Sequence, residues 1–150
     1  GGVQIHGGKD NWVDNNVFID CKHGISFSAW GADRWKKFLS SDSVVALLTK
    51  DVDVKNPPYS TRYPDLARLE EGNDVNNIWR NVVYRCGDFL TRDQGIQNEI
   101  SNWVGTEDPG FVDAEKGDWA LKEDSGVLDG VGFCGIPFGE IGLYGDGYRD

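Results

Sequence analysis

Asn11-Trp12-Val13-Asp14-Asn15-Asn16-Val17-Phe18-Ile19-Asp20-Cys21 decides the fold, because it returns as Asn76-Asn77-Ile78-Trp79-Arg80-Asn81-Val82-Val83-Tyr84-Arg85-Cys86. The offset is 76 − 11 = 65 residues. Apolar side chains recur at 13/78, 17/82, 18/83 and 19/84, asparagine at 11/76 and 16/81, and cysteine at 21/86. A shorter echo links Gly2-Val3-Gln4-Ile5-His6 to Gly24-Ile25-Ser26-Phe27-Ser28, at 24 − 2 = 22. Both copies of this echo alternate apolar and polar residues, the pattern of a strand with one buried and one solvated face. The longer offset is close to three times the shorter one. Short strands with Gly and Asn corners at a period in the low twenties predict a coiled stack of strands, an all-β solenoid. A single coil cannot bury its own apolar face and must lie on a neighbour.

Working outward, about two to three coils are expected within residues 1–90, interrupted by an insertion over 29–75. The insertion is expected to be partly helical: Trp35, Phe38 and Leu39 stand at i, i+3 and i+4. Pro64 and Gly72 bracket a short helix. From Thr91 the repeat is lost, and residues 91–150 read as an irregular C-terminal tail that caps the stack or packs along its side. Asn16 and Asn81 fall at equivalent corners, where stacked amides can bond one another. Cys21 and Cys86 are equivalent too and read as interior thiols rather than a disulfide, since stacked parallel strands lie side by side. With Cys134 the count is odd, which is not a disulfide framework.

Composition sets limits on partners. Fifteen basic against 25 acidic residues give a net charge of −10. That opposes nucleic acid, which is bound through Lys and Arg on phosphates, and it opposes anionic membrane surfaces. No apolar run reaches the length of a spanning helix, and no signal peptide is visible. Methionine is absent and the chain opens inside a repeat, so it reads as a piece of a longer protein.

The coil Asn11–Cys21, the stretch Pro57–Leu66, and the tail pieces Asp108–Asp113, Gly117–Trp119, Asp124-Ser125, Gly132-Phe133, Ile136-Pro137 and Ile141–Tyr144 resemble the C-terminal end of one family. These are large bacterial right-handed parallel β-helix proteins, related in fold to pectate lyases and β-helix glycoside hydrolases. The resemblance implies a single-stranded right-handed parallel β-helix. It also implies a carbohydrate-related role outside the cytoplasm, secreted or periplasmic in the parent protein. One departure stands out: members often carry an acid and then Ala-Arg-Gly after the strand equivalent to Ile25–Ser28, whereas this chain has Ser28-Ala29-Trp30-Gly31. The acid and the arginine are both missing, so a catalytic site built on them would be incomplete.

Period 2 turns Val3, Ile5, Ile25 and Phe27 inward and Gln4, His6, Ser26 and Ser28 outward. Stacking sets Gln4 beside Ser26 and His6 beside Ser28, a polar sheet face flanked by Trp30 and Trp35 and reachable from Asp88. Sugar rings offer hydroxyls at their edges and C–H faces above and below, so polar side chains beside aromatic platforms suit a carbohydrate partner. The bland alternative is a solvated sheet face with both tryptophans packed inside the insertion. Glycoside hydrolysis needs two carboxyl groups at a set separation. Asp10, Asp14, Asp20 and Asp33 are near the face, and no spacing singles out a pair. Calcium-assisted lyase chemistry would need converging acids. The clusters Asp51/Asp53, Asp113/Glu115 and Asp146/Asp150 read instead as solvated turns, so no metal or cofactor is expected. His6 is a polar surface residue or an acid/base contact, and His23 lies in a turn. Three functions remain open: a carbohydrate-active enzyme portion (hydrolase before lyase), a non-catalytic carbohydrate-binding module, and a structural piece that self-associates through an exposed stack end.

Overall fold

A computed structural model describes residues 1–27, 32–69, 71, 75–91 and 96–142. Nine strands form three parallel sheets of three. The first holds β1 (Val3–Ile5), β4 (His23–Phe27) and β7 (Asp88–Leu90). The second holds β2 (Asn11–Asp14), β5 (Val75–Trp79) and β8 (Ile96–Ile100). The third holds β3 (Val17–Ile19), β6 (Val82–Tyr84) and β9 (Trp103–Gly105). The chain passes through the sheets in the same order three times, a connectivity compatible with a solenoid. The registers carry the sequence offsets: Val3 pairs with Ile25, Asn11 with Asn76, and Val17 with Val82.

The parallel sheets run past the limit of residue 90 expected from the repeat. Strands β8 and β9 continue the second and third sheets, with Asn77 opposite Asn98 and Val82 opposite Trp103. Their repeat is hard to see because inward Ile78 is answered by Glu99, and Tyr84 by Gly105.

Corners explain why the chain turns where it does. Asn15, Arg80 and Ser101 hold left-handed backbone (φ 59°, 49° and 54°) between the second and third sheets. Asn tolerates this region; Arg adopts it at a cost. Arg80 and Arg85, both left-handed, are tied by forked ion pairs to Asp14 and Asp20 of the neighbouring coil. After the first corner comes an asparagine ladder. Asn16 donates its backbone N–H and Nδ2 to Asn81 Oδ1 (3.1 and 3.0 Å), and Asn81 does the same to Asn102 Oδ1 (3.0 and 2.9 Å). Close approach fixes Gly2, where an added Cβ would stand 2.1 Å from the Gly24 carbonyl oxygen and 2.7 Å from the Phe18 ring.

Ile5, Val13, Phe18, Ile25, Ile78 and Val83 fill the space between the three sheets. Cys21 and Cys86 are free, half-buried thiols packed against this core. A second core lies outside the third sheet, where Val82 and Tyr84 meet Phe111, Val127 and Phe133 of the tail. β6 is therefore buried on both faces, which accounts for its unbroken apolar run. The tail holds the antiparallel pair β10 (Phe111–Asp113) and β11 (Asp118–Leu121) and a short helix Gly126–Val131. It is clasped to the first coil by Asn15, whose Oδ1 accepts from the Cys134 N–H (2.6 Å) and whose Nδ2 donates to the Cys134 carbonyl (3.0 Å). As described, it lies along the side of the sheets.

The excursion between β4 and β5 contains α1 (Ala32–Leu39), α2 (Asp42–Ala46) and α3 (Tyr59–Arg62), a π turn at Leu47–Asp51 and a 3-10 turn at Pro64–Arg68. Among the described residues no helix is long and apolar enough to cross a membrane.

Candidate functional site

The first sheet is where a polar face of Gln4, His6, Ser26 and Ser28 is expected. Gln4 and Ser26 are cross-strand neighbours, and Ser26 donates to the Val3 carbonyl (3.5 Å). His6 is exposed just after β1. Ser28 and Trp30 lie outside the described residues. Trp35 belongs to α1; its indole N–H donates to the Leu69 carbonyl (2.7 Å) and its ring stacks on Phe38 (5.7 Å). It is held within the excursion. Asp88 opens β7 opposite His23, with Oδ2 2.9 Å from Nδ1, a pairing the sequence did not single out.

The acids weighed for catalysis are mostly engaged. Asp14 and Asp20 each take a two-pronged arginine, and Asp10 stands 3.7 Å from Lys9. The Arg80 hydrogen bond holds the Asp14 carboxyl below its ordinary range, against the opposing effect of burial. Asp33 sits in the first turn of α1. Among the described residues no group of three His, Cys, Asp or Glu converges as a metal site requires.

An aromatic platform beside ordered amides, the combination sought on the first sheet, occurs instead on the outer face of the second. Val13 and Ile78 point into the core, so alternation turns Trp12, Asp14, Asn77, Trp79, Asn98 and Ile100 outward. Trp12 is 57 % exposed and meets Trp79 edge-on at 4.4 Å. Asn98 Nδ2 donates to Asn77 Oδ1 (3.1 Å), and Asn98 is exposed. The indole N–H of Trp79 is buried without a partner. A cleft of about 400 Å³ adjoins the near end of this face. The excursion forms it by folding back on the turn before β2, where Lys9 Nζ donates to the Arg68 carbonyl (3.3 Å). Asp10, Arg62, Tyr63 and Asp65 line it, with Tyr63 exposed and the Arg62 guanidinium 5.6 Å from its ring.

Trp12, Asn98 and Tyr63 were not among the residues the sequence singled out. A signal for Trp12 existed, because inward Val13 forces its neighbour outward. Nothing in the sequence placed Tyr63 and Asp10 on one cleft, since that cleft depends on how the excursion folds back.

Compared with protein-family models, curated proteins and solved structures, the chain matches none of them.

Proposed function

We propose that this chain is a right-handed parallel β-helix module that binds polysaccharide along the outer face of its second sheet, as a non-catalytic part of a carbohydrate-active protein. The observation that carries this reading is Trp12. A large aromatic surface left more than half exposed on a regular strand offers a sugar ring its apolar face. The Asn98 amide stands two strands away in the same row, and polar groups of this kind fix the ring by its hydroxyls. The neighbouring cleft, with Tyr63 and side chains of both charges, extends the track for a chain longer than one residue.

Binding is favoured over hydrolysis by the state of the acids. A general acid must hold a proton near neutral pH, and its pKa is normally raised for the task. Asp14 is shifted the other way by Arg80, and both Asp20 oxygens accept hydrogen bonds from Arg85. The resemblance to pectate-lyase-like β-helix proteins supports the substrate class, and the absent acid and arginine at 28–31 support loss of chemistry.

Affinity electrophoresis through gels containing neutral and acidic polysaccharides tests the proposal. The native chain should be retarded by at least one of them, and Trp12→Ala should migrate freely while melting within a few degrees of the native chain. An edge-on aromatic contact is worth about 0.5–1.5 kcal/mol, too little to unfold the chain. Migration unaffected by any polysaccharide, or retardation that survives Trp12→Ala, overturns it.

A further inference from the structure

The excursion between β4 and β5 has its own apolar centre. Among its described residues Leu39 and Val54 are the buried apolar side chains. Neither belongs to the core between the sheets or to the one against the tail. Both line a hollow of about 160 Å³, together with Leu48 and Ala67. Close-packed interiors leave few spaces larger than a water molecule. An apolar cavity of about 150 Å³ is enough to take a benzene ring.

Four separate pieces of chain build the wall. Leu39 ends α1, Leu48 and Thr49 come from the π turn, Val54 and Lys55 follow it, and Ala67 belongs to the 3-10 turn. The Val52 N–H donates to the Leu47 carbonyl (3.0 Å) across the π turn, a backbone form that recurs at functional sites.

Two side chains of the wall are polar. The Thr49 hydroxyl is already used, donating to the Val45 carbonyl (2.7 Å). Lys55 is the one charged residue of the lining, and among the described residues its ammonium pairs with no carboxylate. Asp53, two positions earlier, has both carboxylate oxygens on Asn56 Nδ2 (3.2 and 3.0 Å) instead. An apolar hollow beside an unpaired ammonium suits a ligand with an apolar body and an anionic head, since charge-assisted hydrogen bonds are the strong ones. A single lysine matches a head of one negative charge.

We propose that this hollow binds a small monocarboxylate whose apolar body has about six to eight carbons, with the body against Leu39, Leu48 and Val54 and the carboxylate on Lys55. The site uses no residue of the Trp12 face and stands independently of polysaccharide binding.

Amide NMR spectra of the labelled native chain, titrated with benzoate and with benzyl alcohol as a neutral match in size, test this. Benzoate at millimolar concentration should shift the amides of Leu48, Val54 and Ala67 saturably, and benzyl alcohol should bind at least about tenfold more weakly, the worth of a charge-assisted bond. Lys55→Gln should bring benzoate down to the level of the alcohol and leave the alcohol unchanged. Ala67→Phe, which fills the hollow, should remove both responses while circular dichroism shows a folded chain. No saturable shift at those amides, equal binding of the two probes to the native chain, undiminished benzoate binding in Lys55→Gln, or a response that survives in folded Ala67→Phe overturns the proposal.

Discussion

Asn81 carries the heaviest polar load in the fold, and removing its side chain has a calculable effect. The residue is 0 % exposed. Its Oδ1 accepts from the Asn16 N–H and Nδ2, and its Nδ2 donates to the Val13 carbonyl (2.9 Å) and to Asn102 Oδ1 (2.9 Å). Asn81→Ala deletes all four bonds. A net value of about 1 kcal/mol for each gives a loss of roughly 3–5 kcal/mol, since buried groups left unpaired add their own desolvation cost. Against a total stability of about 5–15 kcal/mol for a single domain, this is roughly a fifth or more of what holds the chain folded. Asn98→Ala is the matched control: it lies on the outer face and loses one ladder bond to Asn77, for a cost of about 0.5–1 kcal/mol. Urea unfolding followed by far-UV circular dichroism reads the difference as a shift in midpoint at constant slope. Asn81→Asp keeps the two accepted bonds but buries a charge and loses both donated ones, so it should fare no better than alanine at neutral pH. If Asn81→Ala unfolds within about 1 kcal/mol of the native chain, or no earlier than Asn98→Ala, the ladder does not hold the coils together and the reasoning fails.

Two further outcomes follow from charge and exposure. Asp14 has its folded pKa depressed by Arg80, so its stabilising contribution is complete above the unfolded carboxylate value and is lost as pH falls through that value toward the depressed one. Melting temperature should therefore fall on acidification from about pH 5 to 2, and Asp14→Asn should start lower and fall less steeply; an equal slope in both proteins would refute the assignment. Native thiol titration should show one fast group, exposed Cys134, and two slow ones, Cys21 and Cys86, with burial pushing the Cys86 thiol up and lowering its thiolate fraction; three equal rates would contradict the packing.

The first two coils were legible because each carries a complete set of signals. Alternation fixes which face is inward, and the repeat offsets of 65 and 22 coincide with the strand registers. The third coil was not legible from apolar residues, because its inward positions hold Glu99 and half-exposed Val104. Its asparagines did keep the register, at 98 − 77 = 21 and 102 − 81 = 21, so a search on corner amides alone would have found it. The side-by-side packing of the tail had no sequence signal except the fully apolar Val82-Val83-Tyr84, which required a cover on both faces. For the candidate site, neither the exposed face of the second sheet nor the cleft beside it was legible, because the first depends on which outward tryptophan stays uncovered and the second on how the excursion folds back. Polar residues of the first sheet drew attention, while the exposed tryptophan stands on the second.

The departures of the third coil share one physical origin. A coil inside the stack has neighbours above and below and must present apolar or mutually bonded groups to both. Coil three has a neighbour on one side only within the described chain, and its residues change accordingly. The inward amide column Asn11, Asn76, Gln97 ends on a longer side chain whose buried amide atoms find no protein partner, whereas Asn11 donates to Asn76 at 2.8 Å. The core column ends on a carboxylate, and the third sheet ends on Gly105, with no side chain to extend the outer packing of Tyr84. Each change would be destabilising one coil earlier, where Ile78 and Val83 are fully enclosed. The loss of repeat after residue 90 is thus graded rather than abrupt. The backbone register and corner asparagines persist for one more turn, because they need only the coil below. The apolar identities lapse, because they need a coil above as well.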